Sequence, residues 1–368
     1  MFLYQKIYTK LKEDILQGVY VPETFLPPEN TMAEKYGVDR TTVRKAIDLL
    51  IEEHMVERHA AKGTFVIYGS EQARERKSQE ADSNRKFEKT VIAFLLPKSG
   101  YQNDRITVPF YSCLFYEIEK CSKHLGFTVV YSTLDETDDM MSVLGQMLEK
   151  LAGIIFVSNI VEKHIDNALA LKIPAVLVNG YSEKIPSVTS DDFMGTYMAC
   201  EHLLKCGHRE IGVVNGVSQY VSASNRLNGV VRCLQDYDLK LNPEYVISND
   251  GWEREDGYRA MADFLDGRTE VPTAFICFND RLASGALEAI YQSRLRIPED
   301  ISIVGYDNSD ICNYLHPKLS SIENHVPAIA EHAIGALYYQ IISGYMSPAR
   351  ILIPVEYVER DSVQAINR

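Results

Sequence analysis

The sequence predicts an α/β protein in two parts: a small N-terminal module of three helices and a β-hairpin, and a larger core of two doubly wound lobes. Three observations predict this fold class. Apolar residues recur at helical spacing in the first 50 residues, and a polar segment with few apolar residues covers 69–89. From residue 90 onward, apolar strand runs alternate with helical patterns.

Length, charge and cysteine content limit the class of protein. A chain of 368 residues is longer than one hydrophobic core normally supports, so two or three cores are expected. The net charge of -13 argues against a chain that coats nucleic acid or anionic membrane over its whole surface, but it allows a local contact surface. No apolar run reaches the roughly 20 residues that a membrane helix needs. The N-terminus lacks a secretory signal pattern and the seven cysteines form no C-x-x-C pair, so a reducing cytoplasm is predicted.

Periodicity and glycine mark the first two helices of the N-terminal module. In the first helix an apolar side chain recurs every four residues, at Ile7, Leu11 and Ile15. Gly18 follows as a stop signal. A second, short helix is predicted after "LPPEN", with Glu29 near its start, where the helix dipole favours an acid, and Gly37 at its end.

The third helix is amphipathic and follows after a tight turn. Asp39 is placed to cap it, and its buried stripe consists of Val43, Ala46, Ile47 and Leu50. The opposite side carries Arg40, Thr41, Arg44, Lys45 and Asp48. Two helices joined by so short a turn form a helix-turn-helix. "MVERHAAKGTFVIY", residues 55–68, then predicts a β-hairpin wing.

The segment 69–89 is predicted to be a flexible or partly helical linker, because it cannot bury enough apolar surface to offset its ordering entropy. We therefore expect a winged helix-turn-helix domain over 1–68, a linker over 69–89, and a second domain over 90–368.

The second domain has the pattern of parallel strands covered on both faces by helices. Its predicted strands are 91–97, 127–132, 153–158, 174–179, 210–216, 273–280 and 301–308. Its predicted helices are 111–125, 138–150, 193–206, 224–236, 253–267, 280–294 and 326–343. The pattern of 91–180 is roughly repeated in 210–308, which favours two lobes with a cleft over one very wide sheet.

The charged helix of the N-terminal module suits the major groove of DNA. Arginine can bind guanine O6 and N7 bidentately there, so Arg40 and Arg44, one turn apart, could divide base and phosphate contacts. Thr41 and Thr42 are short donors suited to phosphate oxygens.

"LPPENTMAEKYGVDRTTVRKAIDLLIEEHMVERHAAKGTFV", residues 26–66, resembles the winged helix-turn-helix of the GntR family of bacterial transcription regulators. The resemblance implies a double-stranded DNA operator as partner, with contacts from Glu29, Asn30, Arg40, Thr41, Thr42, Arg44, Lys62 and Gly63. Family members commonly have serine where this chain has Pro28, and often glycine where it has Ala61. Residues 1–68 carry nine basic and ten acidic side chains, so binding would rest on a focused patch, doubled by a homodimer.

The second domain shows no catalytic signature: it lacks G-x-S-x-G, G-x-x-x-x-G-K and G-x-G-x-x-G patterns. Polar and aromatic residues instead follow its strands, at the edge where open α/β sheets bind ligands. Together they suit a polyhydroxylated ligand, with an indole on an apolar sugar face and carboxylate, amide and guanidinium groups on hydroxyls.

Residues 90–362 resemble the LacI/GalR effector-binding core, which is similar to periplasmic sugar-binding proteins; the sharpest matches are "CFND" and "VGYDN". The resemblance implies ligand contacts from Arg226, Trp252, Asn279 and Asp307, with Phe110 and Asp192 behind them. A GntR-type head on a LacI-type core is most similar to the arabinose-responsive AraR group.

The sequence thus predicts a cytoplasmic, homodimeric, DNA-binding transcription regulator, a repressor controlled by a sugar or sugar derivative bound between two lobes. No cofactor, metal or membrane partner is expected. Two other classes stay open from the residues alone. One is a solute-binding protein without a DNA-binding role, and the other is an enzyme that uses Asp307 or Asp192 as a base.

Overall fold

The structure is a computed structural model that describes residues 3–16, 19–20, 24–53, 55–59, 63–67, 87–98 and 105–366. The chain divides into an N-terminal unit that reaches Phe87 and a C-terminal unit that begins at Glu88. Most of the predicted linker, 69–86, lies outside the described residues.

The N-terminal unit has the three helices and the hairpin that the sequence predicts. Its elements are α1 Leu3–Leu16, α2 Glu29–Tyr36, α3 Arg40–Glu52, β1 Val56–His59 and β2 Gly63–Val66. The two strands are antiparallel, with Val56 opposite Val66 and His59 opposite Gly63. The predicted apolar stripes of α1 and α3 are buried in one core, which also contains Leu26, Met32 and Met55.

The turn between α2 and α3 depends on two residues. Gly37 ends α2 in the left-handed conformation, with φ 64°, which glycine adopts without steric cost. Asp39 caps α3, because its carboxylate accepts a hydrogen bond from the Thr42 N–H at 2.9 Å. Pro28 precedes α2 and makes no side-chain cap.

The C-terminal unit contains two parallel sheets with helices against them. Its strands are β3 Val91–Leu96, β4 Thr128–Thr133, β5 Leu151–Val157, β6 Ala175–Val178, β7 Ser187–Ser190, β8 Ile211–Val214, β9 Val246–Ile247, β10 Ala274–Cys277, β11 Ser302–Val304, β12 Ser321–Glu323, β13 Arg350–Ile353 and β14 Glu356–Val358. Its α-helices are α4 Pro109–His124, α5 Met140–Leu144, α6 Glu162–Ala170, α7 Asp192–Lys205, α8 Val221–Asp236, α9 Arg254–Leu265, α10 Asp280–Gln292 and α11 Val326–Ser343.

The two sheets define two lobes. Lobe 1, residues 91–190 and 326–353, contains the six-stranded sheet in the order β13-β7-β6-β5-β3-β4. Lobe 2, residues 192–323 and 356–366, contains the four-stranded sheet in the order β11-β10-β8-β9 and the antiparallel pair β12 and β14. The chain passes between the lobes three times, after β7, after β12 and after β13.

Helix α11 returns the chain to lobe 1, and a buried amide fixes it there. The side chain of Gln340 exchanges two hydrogen bonds with the backbone of Ala175, at 3.1 and 3.0 Å, at the start of β6. Gly153 leaves room for the helix, because a Cβ there would lie 2.8 Å from the Leu337 side chain. These contacts tie a segment near the end of the chain to a sheet formed mainly by residues before 191.

The structure differs from the sequence prediction at one helix and at several short elements. The helix predicted over 138–150 is α5 followed by a 3-10 helix, Gly145–Lys150, because Gly145 has φ 43° and interrupts the α-helix. Helix α6 and strands β7, β9, β12, β13 and β14 are not among the predicted elements. The predicted two-lobed α/β core is confirmed.

Candidate functional site

The first candidate site is the exposed side of α3, where three arginines surround one acid. The Glu29 carboxylate lies 2.7 Å from Arg40 Nε, 3.5 Å from Arg44 Nε and 3.9 Å from Arg58 Nη2. Arg58, on β1, also lies 2.8 Å from Asp48. We call these five side chains the Glu29 cluster. It draws on α2, α3 and β1, so it forms only when the whole N-terminal unit is folded.

Exposure differs sharply within the Glu29 cluster. The side chains of Arg40 and Arg44 are 60 % and 54 % exposed, whereas that of Glu29 is 14 % exposed. Partial burial works against the charge of Glu29, but the hydrogen bond from Arg40 and the nearby arginine charges lower its pKa. The acid is therefore ionised at neutral pH and positions two guanidinium groups at the surface.

The remaining predicted DNA contacts are residues of α2, α3 and the hairpin. Asn30 is exposed in the first turn of α2. The hydroxyls of Thr41 and Thr42 both donate to the Asp39 carboxylate, so they support the start of α3. These hydrogen bonds lower the pKa of Asp39. Gly63 begins β2 with φ 118°, and Lys62 lies outside the described residues.

The second candidate site is the cleft side of lobe 2, which is centred on a buried arginine. Arg226 Nε lies 2.8 Å from Asp192 Oδ1, and its Nη2 lies 3.9 Å from Asp307 Oδ1. Its Nη1 donates to the Phe278 carbonyl, and its guanidinium lies 3.6 Å from the centre of the Tyr306 ring. Among the described residues, the Arg226 guanidinium thus has two carboxyl groups, one backbone carbonyl and one aromatic ring as neighbours. We call Arg226, Asp192, Asp307 and Tyr306 the Arg226 cluster.

Close packing of α7 and α8 makes the Arg226 cluster possible. A Cβ at Gly229 would lie 2.2 Å from the Phe193 carbonyl oxygen, so glycine is needed for the two helices to approach. Thr196 Oγ1 donates to the Arg226 carbonyl at 2.7 Å. Asp192, at the start of α7, is thereby placed beside the second turn of α8.

Burial raises the pKa of both acids of the Arg226 cluster. At Asp192 the adjacent guanidinium of Arg226, 2.8 Å away, acts in the opposite direction, and Asp192 in turn raises the pKa of Arg226, so the two side chains form a buried ion pair. Burial raises the pKa of Asp307 to about 8, although Arg226 acts in the opposite direction. Asp307 also accepts a hydrogen bond from Asn324 Nδ2 at 3.1 Å.

Trp252 and Asn279 lie next to this cluster. Asn279 caps α10 by accepting from the Leu282 N–H at 2.6 Å, and its Nδ2 donates to the Trp252 carbonyl at 3.0 Å. The indole covers Gly216, where a Cβ would lie 2.5 Å from it. Since Phe278 accepts from Arg226, the structure connects five predicted ligand residues of lobe 2, namely Asp192, Arg226, Trp252, Asn279 and Asp307.

Phe110 belongs to lobe 1, in the first turn of α4, and none of the contacts among the described residues joins it to those five. Its ring centre lies 5.2 Å from that of Tyr111. The Tyr111 hydroxyl lies 3.0 Å from Ser158 Oγ, which also accepts from Asn179 Nδ2 at 3.1 Å. Lobe 1 thus presents its own polar group at the carboxyl ends of β5 and β6.

Backbone conformation marks residues that the sequence reasoning missed. Ser158 and Asn179 have φ of 59° and 55°, and Asp307 has φ of 103°. Such values are unusual for residues other than glycine, and they gather at functional sites. The signal available in the sequence was an Asn or Ser directly after an apolar strand run, as in "VLVNG" and "IFVSN".

Three buried polar atoms near these strand ends have no hydrogen-bond partner among the described residues: Trp252 Nε1, Asn215 Oδ1 and Asn324 Oδ1. Asn215 directly follows β8, and Asn324 lies in the second passage between the lobes. A buried polar atom without a partner costs free energy, so these atoms suit a ligand or water that supplies both donors and acceptors.

Two further features of the described residues bear on the kind of molecule. All seven cysteines are free thiols. None of the described helices has the length and apolar character needed to span a lipid bilayer.

Two family models match the chain. The model for "Bacterial regulatory proteins, gntR family" matches residues 3–66, and the model for "Periplasmic binding protein-like domain" matches residues 200–363. The Arabinose metabolism transcriptional repressor of Halalkalibacterium halodurans is 28% identical over 337 residues, which are 87% of this chain and 84% of the relative. The HTH-type transcriptional repressor PurR of Haemophilus influenzae (strain PittEE) is 28% identical over 266 residues, 70% of this chain and 79% of the relative.

The C-terminal unit is also similar to solved structures of transcription regulators. A LacI family transcriptional regulator from Enterococcus faecium with bound ribose has a TM-score of 0.66 at 26% identity, and the match covers 76% of this chain and 100% of that chain. The chain thus joins an N-terminal domain that matches the gntR-family model to a core that matches the periplasmic binding protein-like model, and over most of its length it is similar to transcriptional repressors.

Proposed function

We propose that this protein is a cytoplasmic transcriptional repressor whose operator affinity is controlled by a carbohydrate bound between the two lobes. The observation that carries the effector part is the set of buried, unpartnered polar atoms next to Trp252 and Asp307. A hydroxyl group can donate and accept at once, so a polyhydroxylated ligand matches a site that offers both kinds of atom. The domains are 1–68 for DNA, 69–89 as linker and 90–368 for the effector.

The DNA contact is made by α3 in the major groove. Arg40 and Arg44 are exposed and already aligned by Glu29, so they reach base edges and phosphates with little loss of side-chain entropy. Asn30, Thr41, Thr42, Lys62 and Gly63 contact the phosphate backbone around them. Glu29 acts on DNA mainly through the arginines that it positions.

The effector contact combines stacking with hydrogen bonds. Trp252 covers an apolar sugar face, while Arg226, Asn279 and Asp307 bind hydroxyl groups and Phe110 closes the site from lobe 1. Asp192 is only 4 % exposed and already paired, so it acts by orienting Arg226. The ribose bound to the Enterococcus relative and the arabinose named for the Halalkalibacterium relative support a sugar as ligand class.

To control DNA binding, effector binding must change the position of the N-terminal units, one in each protomer of a homodimer. The three passages between the lobes form the hinge, and movement of the lobes about this hinge would change the spacing of the two N-terminal units. The head supports this view, because nine basic against ten acidic residues make a single copy a weak DNA ligand.

The test uses the full chain and the fluorescence of Trp252, the single tryptophan. A panel of pentoses, hexoses and their derivatives is titrated while fluorescence and melting temperature are followed. We expect one class to shift both and to change affinity for a duplex selected from random DNA. If no compound shifts either signal, the carbohydrate assignment is wrong. If no duplex is enriched, the DNA assignment is wrong.

A further inference from the structure

Arg105 is a partly buried cation that no acid among the described residues neutralises. It begins the 3-10 helix Arg105–Thr107, just before α4 in lobe 1. Its Nη2 donates to the Tyr220 hydroxyl at 2.9 Å, and its guanidinium lies 5.9 Å from the centre of the Tyr220 ring. The partners that these contacts provide are phenols, which carry no charge at neutral pH.

Arg105 of lobe 1 contacts lobe 2 through Tyr220. Tyr220 precedes α8 in lobe 2, and its ring centre lies 5.9 Å from that of Trp252. On the lobe 1 side, Arg105 acts electrostatically on Tyr111, whose hydroxyl contacts Ser158 at the end of β5. The guanidinium therefore lies between the polar group of lobe 1 and the indole of lobe 2.

Arg105 differs from Arg226 in the acids that the described residues place beside it. Arg226 is neutralised by Asp192 at 2.8 Å. Burial raises the pKa of Asp307 to about 8, so this carboxyl is largely uncharged at pH 7. Burial works against the charge of Arg105, yet the two tyrosines raise its pKa, and it stays a cation. No acid of the part of the chain that the structure describes serves Arg105 as a counter-ion, and a partly buried charge without one is costly.

We propose that the effector carries an oxyanion, a phosphate or a carboxylate, and that Arg105 binds this group in the cleft. The proposal rests on the proposed function, since it names the chemical class of the same effector. A guanidinium offers a planar pair of N–H donors that matches phosphate and carboxylate oxygens, and such charge-assisted bonds are about twice as strong as neutral ones. The hydroxyl-bearing part of the ligand then reaches Trp252 and the Arg226 cluster.

The experiment compares neutral and anionic members of matched pairs on the full chain. Ribose is titrated against ribose 5-phosphate, arabinose against arabinose 5-phosphate, and glucose against glucose 6-phosphate and gluconate, with Trp252 fluorescence as signal. Inorganic phosphate is titrated alone to measure binding of a free ion. We expect at least one anionic sugar to bind about 10-fold or more tightly than its neutral partner. The phosphate and carboxylate arms distinguish the two sources of the oxyanion.

Variants then assign the preference to Arg105. Arg105→Gln should reduce the ratio of neutral to anionic dissociation constants to about 1, while Arg105→Lys should keep part of it, because it retains the charge. Arg232→Gln, an exposed arginine on the outer side of α8 paired with Asp236, serves as matched control and should leave the ratio unchanged. The ratio is measured on one protein at a time, so a general loss of folding lowers both affinities and does not imitate the effect.

Four outcomes would overturn the oxyanion proposal. If a neutral sugar binds as tightly as its phosphate and its acid, the oxyanion proposal is overturned and the proposed function stands. The same holds if Arg105→Gln keeps the full preference, or if inorganic phosphate alone reproduces the whole response. If no compound in the panel binds, the proposed function itself fails, and this proposal fails with it.

Discussion

The chain contains two arginine–carboxylate clusters of opposite design. In the Glu29 cluster one partly buried acid holds three arginines, and Arg40 and Arg44 are more than half exposed. In the Arg226 cluster one arginine, 7 % exposed, is held by two acids and an aromatic ring. The same pair of chemical groups is therefore used once at the surface and once in the interior.

The Arg226 cluster therefore stabilises the fold, whereas the arginines of the Glu29 cluster are available to a ligand. Exposed pairs contribute little to stability because water competes for both charges, so their arginines can exchange a carboxylate for a phosphate at little cost. A buried pair is different, since removal of one partner leaves the other charged and desolvated. We expect substitutions in the two clusters to separate stability from DNA binding.

The largest expected effect is on the stability of the C-terminal unit. Arg226→Met leaves the buried Asp192 carboxyl without its cationic partner and removes the donor to the Phe278 carbonyl, so unfolding should become easier by about 3–5 kcal/mol. The measurement is urea unfolding followed by Trp252 fluorescence. Arg232→Gln on the same helix should leave the midpoint where it is. If the midpoint of Arg226→Met were unchanged, the Arg226 cluster would not stabilise the C-terminal unit.

The next effect concerns operator binding. Arg40→Ala should cost about 1–3 kcal/mol of specific DNA affinity per head, because it removes one base-reading side chain. Fluorescence anisotropy with a selected duplex measures this loss. Effector titration and melting temperature should match those of the wild type, since Arg40 belongs to a surface pair. Equal operator affinity in variant and wild type would contradict the assignment of α3.

The third prediction concerns the pH dependence of effector affinity, which Asp307 of the Arg226 cluster should control. Burial raises the pKa of Asp307 to about 8, so near neutral pH its carboxyl is uncharged and can donate a hydrogen bond to a ligand oxygen. Ionisation of this carboxyl removes the donor and repels an anionic ligand, so effector affinity should be constant at lower pH and should fall, by at most about tenfold per unit, as the pH rises above 8. Trp252 titrations between pH 6 and 9 measure the slope.

Asp307→Asn is the control, because its amide does not titrate; a slope that persists in this variant would assign the proton to another group. The same raised pKa has a consequence for folding. The stabilising contribution of the neutral carboxyl is complete below its unfolded pKa of about 4 and is lost as the pH rises toward 8.

The smallest expected effect is at the centre of the surface cluster. Glu29→Gln frees an arginine from its acid, so affinity for non-specific duplex should rise a few fold and the salt dependence should steepen by about one released ion. Discrimination between selected and random duplex should fall, because the arginines lose their common anchor. Glu34→Gln, an exposed acid on the same helix, makes the same charge change outside the cluster. If both variants behave alike, Glu29 contributes only its charge.

Local patterns were sufficient for much of the fold. The helices of the N-terminal unit were predicted because their apolar residues recur at 3.6-residue spacing within each helix, and because the capping residues Gly37 and Asp39 directly flank α2 and α3. Strands such as β3 and β5 were predicted because a buried parallel strand is a continuous apolar run. Strands β7, β12 and β14 were missed, since they are short and are specified by distant partners.

The sequence was sufficient to identify many residues of the two candidate sites, but it was only partly sufficient to predict which of them contact each other. Asp307 and Asn279 were found because they follow apolar strands, and Arg226 because of a family resemblance. The pairing of Arg58 with Glu29, and that of Arg105 with Tyr220, join residues 29 and 115 positions apart. No local pattern encodes such contacts, because they depend on how elements pack after they have formed.

Because the chain passes three times between the lobes, its connectivity also sets the order in which the parts of the molecule can fold during synthesis. The sheet of lobe 1 is incomplete without β13, and lobe 2 uses its last described residue, where the Ile366 N–H donates to the Cys206 carbonyl at 2.8 Å. During translation the N-terminal unit can therefore fold early, whereas neither lobe can close before nearly the whole chain has left the ribosome. The N-terminal unit of a nascent chain can therefore complete its fold well before the C-terminal unit does.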